Sequence, residues 1–188
     1  MVEHNPASDV PYIKTGSAGF HTWTVEEVRQ FEARFPVGTK ARLALGLLLY
    51  LGPRRSDVAL FGRQHIREAK HVSPKLRALH PGRWLRYTQH KNRKRKPVPL
   101  EIPILPELEA IIAASPVGDL TFLTTAFGKP FTSAGFGNWF RDRCVEAGVP
   151  GRAHGLRKAG ATIAAENGAS AHMLMAIDRK STRLNSSH

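Results

Sequence analysis

Along this chain, apolar runs with helical spacing alternate with polar stretches punctuated by glycine and proline. The most apolar run holds Leu43, Leu45, Leu47, Leu48, Leu49 and Leu51. A helix over 39–51 would be apolar nearly all round, which places it at the centre of a core. Gly52-Pro53 stops it. Upstream, Thr24 with Glu27 three on is a capping box, and Trp23 against Val28 suits a hydrophobic staple. The helix they open runs over 24–35, with Val25, Val28 and Phe31 as its apolar stripe. Pro36-Val37-Gly38 breaks it.

After a short helix expected over 57–61, residues 62–82 are polar, broken by Pro74 and Pro81, and predict no element. Two alternating segments, 84–89 and 98–102, then read as strands joined by the turn His90-Lys91-Asn92-Arg93-Lys94-Arg95-Lys96. Prolines at 97, 99 and 103 confine the second strand to a sheet edge. Pro106 starts a helix over 106–114, and 120–124 reads as a short extended piece. Thr132 or Ser133 caps a helix that closes at Gly148. A further helix is expected over 157–167 and a last apolar turn over 171–177. Residues 1–22 show no helical period and read as a linker or arm. Residues 178–188 lose the pattern and read as a disordered, non-native tail.

Composition changes this picture in one direction. Twenty-eight Lys and Arg face fifteen Asp and Glu, a net charge of +13. That excess calls for an anionic partner, most simply nucleic acid, with an anionic membrane surface as the rival. No run approaches transmembrane length and the N-terminus lacks a signal-peptide pattern, so no membrane partner is expected. Cys144 is the only cysteine, which rules out an internal disulfide and suits a cytoplasmic, DNA-associated chain. His65, His71, His80 and His172 lack paired ligand spacing, so no metal is expected.

Candidate chemistry concentrates in three places. Arg54 follows the Gly52-Pro53 stop, with Asp57 three on. Lys91 lies in the basic turn, where residues 83–96 hold seven Lys or Arg and no acid. His154 and Arg157, three apart with Lys158 beside them, share one face if the helix opens there, near an N-terminus that favours anions. Each piece has a bland alternative: a solvated helix end for His154 and Arg157, a surface arginine for Arg54, a generic phosphate contact for Lys91.

Together, Gly52-Pro53-Arg54-Arg55-Ser56-Asp57, Gln89-His90-Lys91-Asn92 and His154-Gly155-Leu156-Arg157 resemble the tyrosine recombinases, the phage-integrase family of site-specific DNA recombinases. The resemblance covers 23–177. It implies a mainly α fold with a small antiparallel β-sheet carrying Lys91, and DNA cleavage and rejoining through a 3′-phosphotyrosyl link without metal or nucleotide cofactor. Carried over by position, Arg54 and Arg157 hold the phosphate, His154 assists as a donor, Lys91 protonates the departing 5′-oxygen, and Asp57 orients Arg54. Planar guanidinium forks suit the charge that spreads over equatorial phosphate oxygens, and an alkoxide leaving group needs a nearby acid. Arg86, Arg93, Lys94, Arg95, Lys96 and Lys158 are expected to touch the backbone of double-stranded DNA. Family members assemble on paired sites.

One part of the family pattern is missing. The nucleophilic tyrosine belongs well past the His154–Arg157 helix, whereas Tyr12, Tyr50 and Tyr87 all precede it. The expectation is a recombinase catalytic domain cut at both ends, which binds DNA and does not cleave it. Alternatives are a non-catalytic DNA-binding protein on the same fold and a type IB topoisomerase-like enzyme. An RNA-binding module is disfavoured because no RNP-type aromatic motif occurs.

Overall fold

The computed structural model describes residues 21–90, 97 and 99–166. The expected last turn over 171–177, the tail over 178–188 and most of the N-terminal arm lie outside the described residues, as do Lys91, Arg93, Lys94, Arg95 and Lys96.

Helix α1, Val25–Arg34, begins with the expected capping box: Thr24 Oγ1 accepts from Glu27 N at 3.2 Å, and the Glu27 carboxylate accepts from Thr24 N at 2.9 Å. Helix α2, Lys40–Leu51, is buried at nine positions and forms the centre of the core. It ends where Gly52 adopts φ 54°, a left-handed conformation that glycine takes without steric cost. Helices α5, Pro106–Ala114, and α7, Ala153–Glu166, both pack against it. The approach of α7 depends on Gly160, because a Cβ there would lie 2.3 Å from the Leu49 carbonyl oxygen. Gly160 thus sits in a helix at some cost in propensity and lets two backbones meet.

Several expectations shift. Helix α3 is Arg55–Val58, starting before the expected residue 57, with Arg54 at its N-cap. Residues 62–82 are not featureless: they hold strand β1, Ile66–Arg67, two 3₁₀ turns, and helix α4, Pro74–Leu79. Ser73 caps α4 by accepting from Leu76 N at 3.4 Å, with Pro74 at the first helical position. Such short pieces leave no periodicity to read. The piece expected over 120–124 contributes only an isolated bridge, Thr124 to Pro130. Helix α7 begins at Ala153, so His154 lies inside its first turn. Helix α6, Ser133–Glu146, starts as expected, with Thr132 Oγ1 accepting from Gly135 N at 3.0 Å.

The sheet is antiparallel in the order β1-β2-β3, with β2 at Trp84–Thr88 and β3 at Pro99–Pro103. Strand β3 is an edge, its terminal prolines opposite Thr88 and Trp84. Helices outnumber strands and the sheet is small, the fold class expected from the sequence.

The stretch before α1 straps the junction of α6 and α7. Trp23, only 3% exposed, donates its Nε1–H to the Arg152 carbonyl at 3.0 Å and lays its ring 5.6 Å from Phe31 and 6.3 Å from Phe140. A Cβ on Gly155 would fall 1.9 Å from the His21 carbonyl oxygen, so glycine is required in the first turn of α7. Gln30 adds a bond from Nε2 to the Ala147 carbonyl at 2.7 Å, and Arg34 pairs with Glu146.

Candidate functional site

The left-handed Gly52 and the rigid Pro53 turn the chain sharply out of α2 and deliver Arg54 to the head of α3. Arg54 is half-buried, and its Nη1 is buried with no hydrogen-bond partner among the described residues. A guanidinium N–H withdrawn from water normally finds an acceptor in the protein. Arg54 lines a cleft of 550 Å³ together with Arg55, Ser56, Ser133, Asn138, Arg141, Arg152 and His154, with no carboxylate among the lining residues. The unpartnered donor and the acid-free lining are complementary to an anion with several acceptor oxygens.

His154 enters the cleft from the first turn of α7 and is exposed. Its imidazole is held below the ordinary histidine range, first by partial desolvation and then by the positive charges of Arg157, Lys158 and Arg54. Helix α7 therefore brings His154 and Arg157 within electrostatic range of each other, as their spacing predicts, and the fold adds Arg54 from a remote part of the chain. Arg157 is half-buried, and Lys158 is exposed. An anion in the cleft would relieve the repulsion and draw a proton to His154.

Asp57 differs from expectation. It is 3% exposed, and among the described residues it forms no ion pair with Arg54. Its Oδ1 instead accepts from the backbone N–H of His90 at 2.9 Å, while Oδ2 is buried without a partner. The reason is direction: Arg54 sits at the extended N-cap, whereas Asp57 points inward from α3 toward the end of β2. The carboxylate thereby pins the residue that directly precedes Lys91. Lys91 itself lies outside the described residues. Gln89 Nε2, beside this anchor, is a third buried polar atom without a partner.

The remaining expected DNA contact, Arg86, is exposed on β2 and 3.8 Å from Glu101. It lines a second cavity over the sheet, away from the arginine cleft. In turn, the sequence gives no motif for Arg141 and Arg152, which reach the cleft from α6 and from the loop before α7. Arg55 is exposed and lines the cleft, with its side chain lying over Gly137. Among the described residues, no group of three His, Cys, Asp or Glu side chains is arranged to hold a metal ion. Also among them, no helix is long and apolar enough to cross a membrane.

No family model and no curated protein matches this sequence. Solved structures do match. The lambda integrase catalytic core superposes with a TM-score of 0.63 at 16% identity, covering 82% of this chain and 93% of that one. A lambda integrase dimer bound to a COC′ core site gives 0.66 at 15%, covering 92% of this chain and 62% of that one. XerA recombinase gives 0.62 at 15%, covering 87% of this chain and 56% of that one. At such identities the likeness is one of fold. The chain has an integrase-like fold, spans nearly all of the isolated lambda core, and spans less than two thirds of the two longer chains.

Proposed function

We propose that this chain is the DNA-binding and phosphate-clamping part of a site-specific recombinase catalytic domain. Arg54, Arg157 and His154 hold one backbone phosphate of double-stranded DNA, and Arg55, Arg141 and Arg152 widen the contact to its neighbours. Lys91 is the acid for the departing 5′-oxygen, carried on a turn whose root Asp57 fixes through His90. Arg86, Arg93, Lys94, Arg95, Lys96 and Lys158 add backbone contacts. Clamping charge in this way lowers the barrier because the guanidinium donors face the oxygens where negative charge develops. No metal or nucleotide is needed in this scheme, because a phosphotyrosyl link conserves the bond energy for religation. The observation that carries the reading is that Arg54, whose Nη1 is buried with no partner among the described residues, lines an acid-free cleft together with His154. Solved relatives in fold include lambda integrase bound as a dimer to a core site and as a tetramer to a Holliday junction. They support DNA as the partner and assembly on paired sites in the intact protein, working wherever the cell keeps its DNA.

A non-cleaving role for this chain alone has its own support. Tyr50 is half-buried on α2 and Tyr87 is buried on β2, and neither lines the arginine cleft. Tyr12 lies outside the described residues. Two measurements on the purified chain test the pair of readings. Duplex binding should weaken with salt, and Arg54→Ala and Arg157→Ala should each flatten the plot of log affinity against log salt by about one unit. A suicide duplex that traps 3′-phosphotyrosyl adducts should yield none. An adduct would restore full catalysis to this chain, and wild-type slopes in both variants would remove the clamp.

A further inference from the structure

The loop between α5 and α6 ends in a feature that the phosphate clamp leaves unused. Thr124 bridges Pro130, Thr125 N donates to the Lys129 carbonyl at 2.8 Å, and Gly128 N donates to the Thr125 carbonyl at 3.2 Å. Lys129 N also donates to Thr125 Oγ1 at 3.3 Å, and Gly128 takes φ 70° to close the turn. The root is anchored to the core helix, because Lys40 Nζ donates to the Thr124 carbonyl at 2.6 Å. On its far side Phe131 is buried against Phe136 and Trp139, with ring centroids at 5.9 and 5.4 Å. A turn tied down this firmly nevertheless projects residues 126–130 into solvent, and Phe127 at the tip is 88% exposed.

An aromatic ring held out in water by a fixed turn forgoes the gain of burial. Its surroundings indicate what would cover it. Lys129 stands two residues away, and no Asp or Glu occurs anywhere in 120–141. Thr132 follows as the cap of α6, whose Ser133, Asn138 and Arg141 line the arginine cleft. In sequence, the tip precedes Ser133 on the cleft wall by six residues. Apolar partners would gain nothing from Lys129, whereas duplex DNA offers a phosphate for the lysine and stacked bases for the ring.

Resting on the DNA-binding reading above, we propose that Phe127 is an apolar wedge that enters between base pairs of the duplex held in the cleft, with Lys129 on the adjacent phosphate. Inserted phenylalanines partly unstack and kink a duplex at such a site, and aromatic contact with bases is strongly felt on alanine substitution. The wedge is sequence-tolerant and largely salt-independent, unlike the clamp.

The test uses the full chain and duplexes carrying 2-aminopurine at successive positions, with fluorescence anisotropy for affinity. Wild-type protein should brighten 2-aminopurine above the free duplex, reporting unstacking. Phe127→Ala should abolish that signal and weaken binding roughly ten- to hundredfold with the salt slope unchanged. Phe127→Leu, another residue used as a wedge, should keep most of both. Lys129→Ala should reduce the slope by about one unit. If Phe127→Ala matches wild type in brightening and affinity while Arg54→Ala still lowers the slope, the wedge is wrong and the clamp stands. If wild type does not bind duplex at all, both fall. If sedimentation shows that Phe127→Ala dissociates a wild-type dimer with DNA affinity unchanged, the ring serves a second copy of the chain, and the wedge is overturned.

Discussion

Two cavities of similar size each take part of their lining from α3, and those linings are opposed. The cleft of 550 Å³ is walled by arginines and His154 without a carboxylate, while the cavity of 590 Å³ over the sheet holds Asp57 among Leu60, Phe61 and Tyr87. Arg54 and Asp57 belong to one short turn of chain, yet each faces a different side. Arginine reaches the first cavity too, and the second as well through Arg67 and Arg86. What separates the two is satisfaction. Arg67 Nη1 donates to the carbonyls of Gln64 and Ile66, both at 2.8 Å, whereas Arg54 Nη1 has no partner. Arg42 Nε and Arg143 Nε are buried without partners too, yet neither residue lines either cavity, so it is the unsatisfied donor together with the acid-free lining that singles out Arg54.

The sharpest way to break this contrast is to remove each arginine. Arg54→Ala should weaken duplex binding roughly ten- to hundredfold, the range for a hydrogen bond to a charged group. Arg67→Ala should change affinity by no more than about twofold and cost stability instead, through the lost contacts to Gln64 and Ile66. Anisotropy titrations and thermal melts on both variants decide it. Equal losses of affinity would show that both cavities hold DNA.

Asp57 gives the next largest effect, on the other side of α3. Asp57→Ala leaves the part-buried His90 N–H without its acceptor, at a cost of up to about 1 kcal/mol. For a domain of this size each kcal/mol moves Tm by roughly 2–4 °C. Asp57→Asn keeps the carbonyl-type acceptor and should melt close to wild type. A variant with alanine that melts unchanged would mean that the turn does not depend on this anchor.

The same contrast explains how far the sequence could be read. Helices α1, α2, α5 and α6 are legible because their signals are local: the Thr24 and Glu27 capping box, the leucine run, Pro106 at a first position, the Thr132 cap. The pairing of His154 with Arg157 is legible for the same reason. Strand β1 is not, since its two residues become a strand only opposite Trp84 and Leu85. Neither are Arg141 and Arg152, which share no spacing with Arg54 and line the same cleft only after α6 folds against α3. Asp57 carries the converse lesson. Its position relative to Arg54 suggests a local partner, but burial turns it toward His90, thirty-three residues on. Gly155 and Gly160 announce no role in the sequence, and their reason lies in His21 and Leu49.

A smaller effect separates the cleft by pH. His154 is depressed in the free protein by desolvation and by Arg157, Lys158 and Arg54, so it is neutral at pH 7. A bound phosphate raises it. Binding therefore takes up a proton only between the depressed free value and the higher bound value. Affinity should be flat above that window, rise as pH falls through it, and level off below it. His154→Gln should remove this dependence while leaving the salt slope at pH 8 as in wild type. A pH profile unchanged by the substitution would place the titrating group elsewhere.

The smallest expected effect comes from Gly137, on the α6 face of the cleft. A Cβ there would lie 2.7 Å from both Cδ and Nη1 of Arg55, the far end of a flexible side chain. The helix itself gains from alanine, by up to about 1 kcal/mol relative to glycine. Gly137→Ala should therefore melt at or above the wild-type temperature while moving the Arg55 guanidinium off its seat. Duplex affinity should drop a few-fold, in line with one displaced surface contact. Stability and binding then move in opposite directions from a single methyl group, which a purely structural role for this face does not allow. Parallel changes in the two quantities would mean that Arg55 packs against α6 without touching DNA.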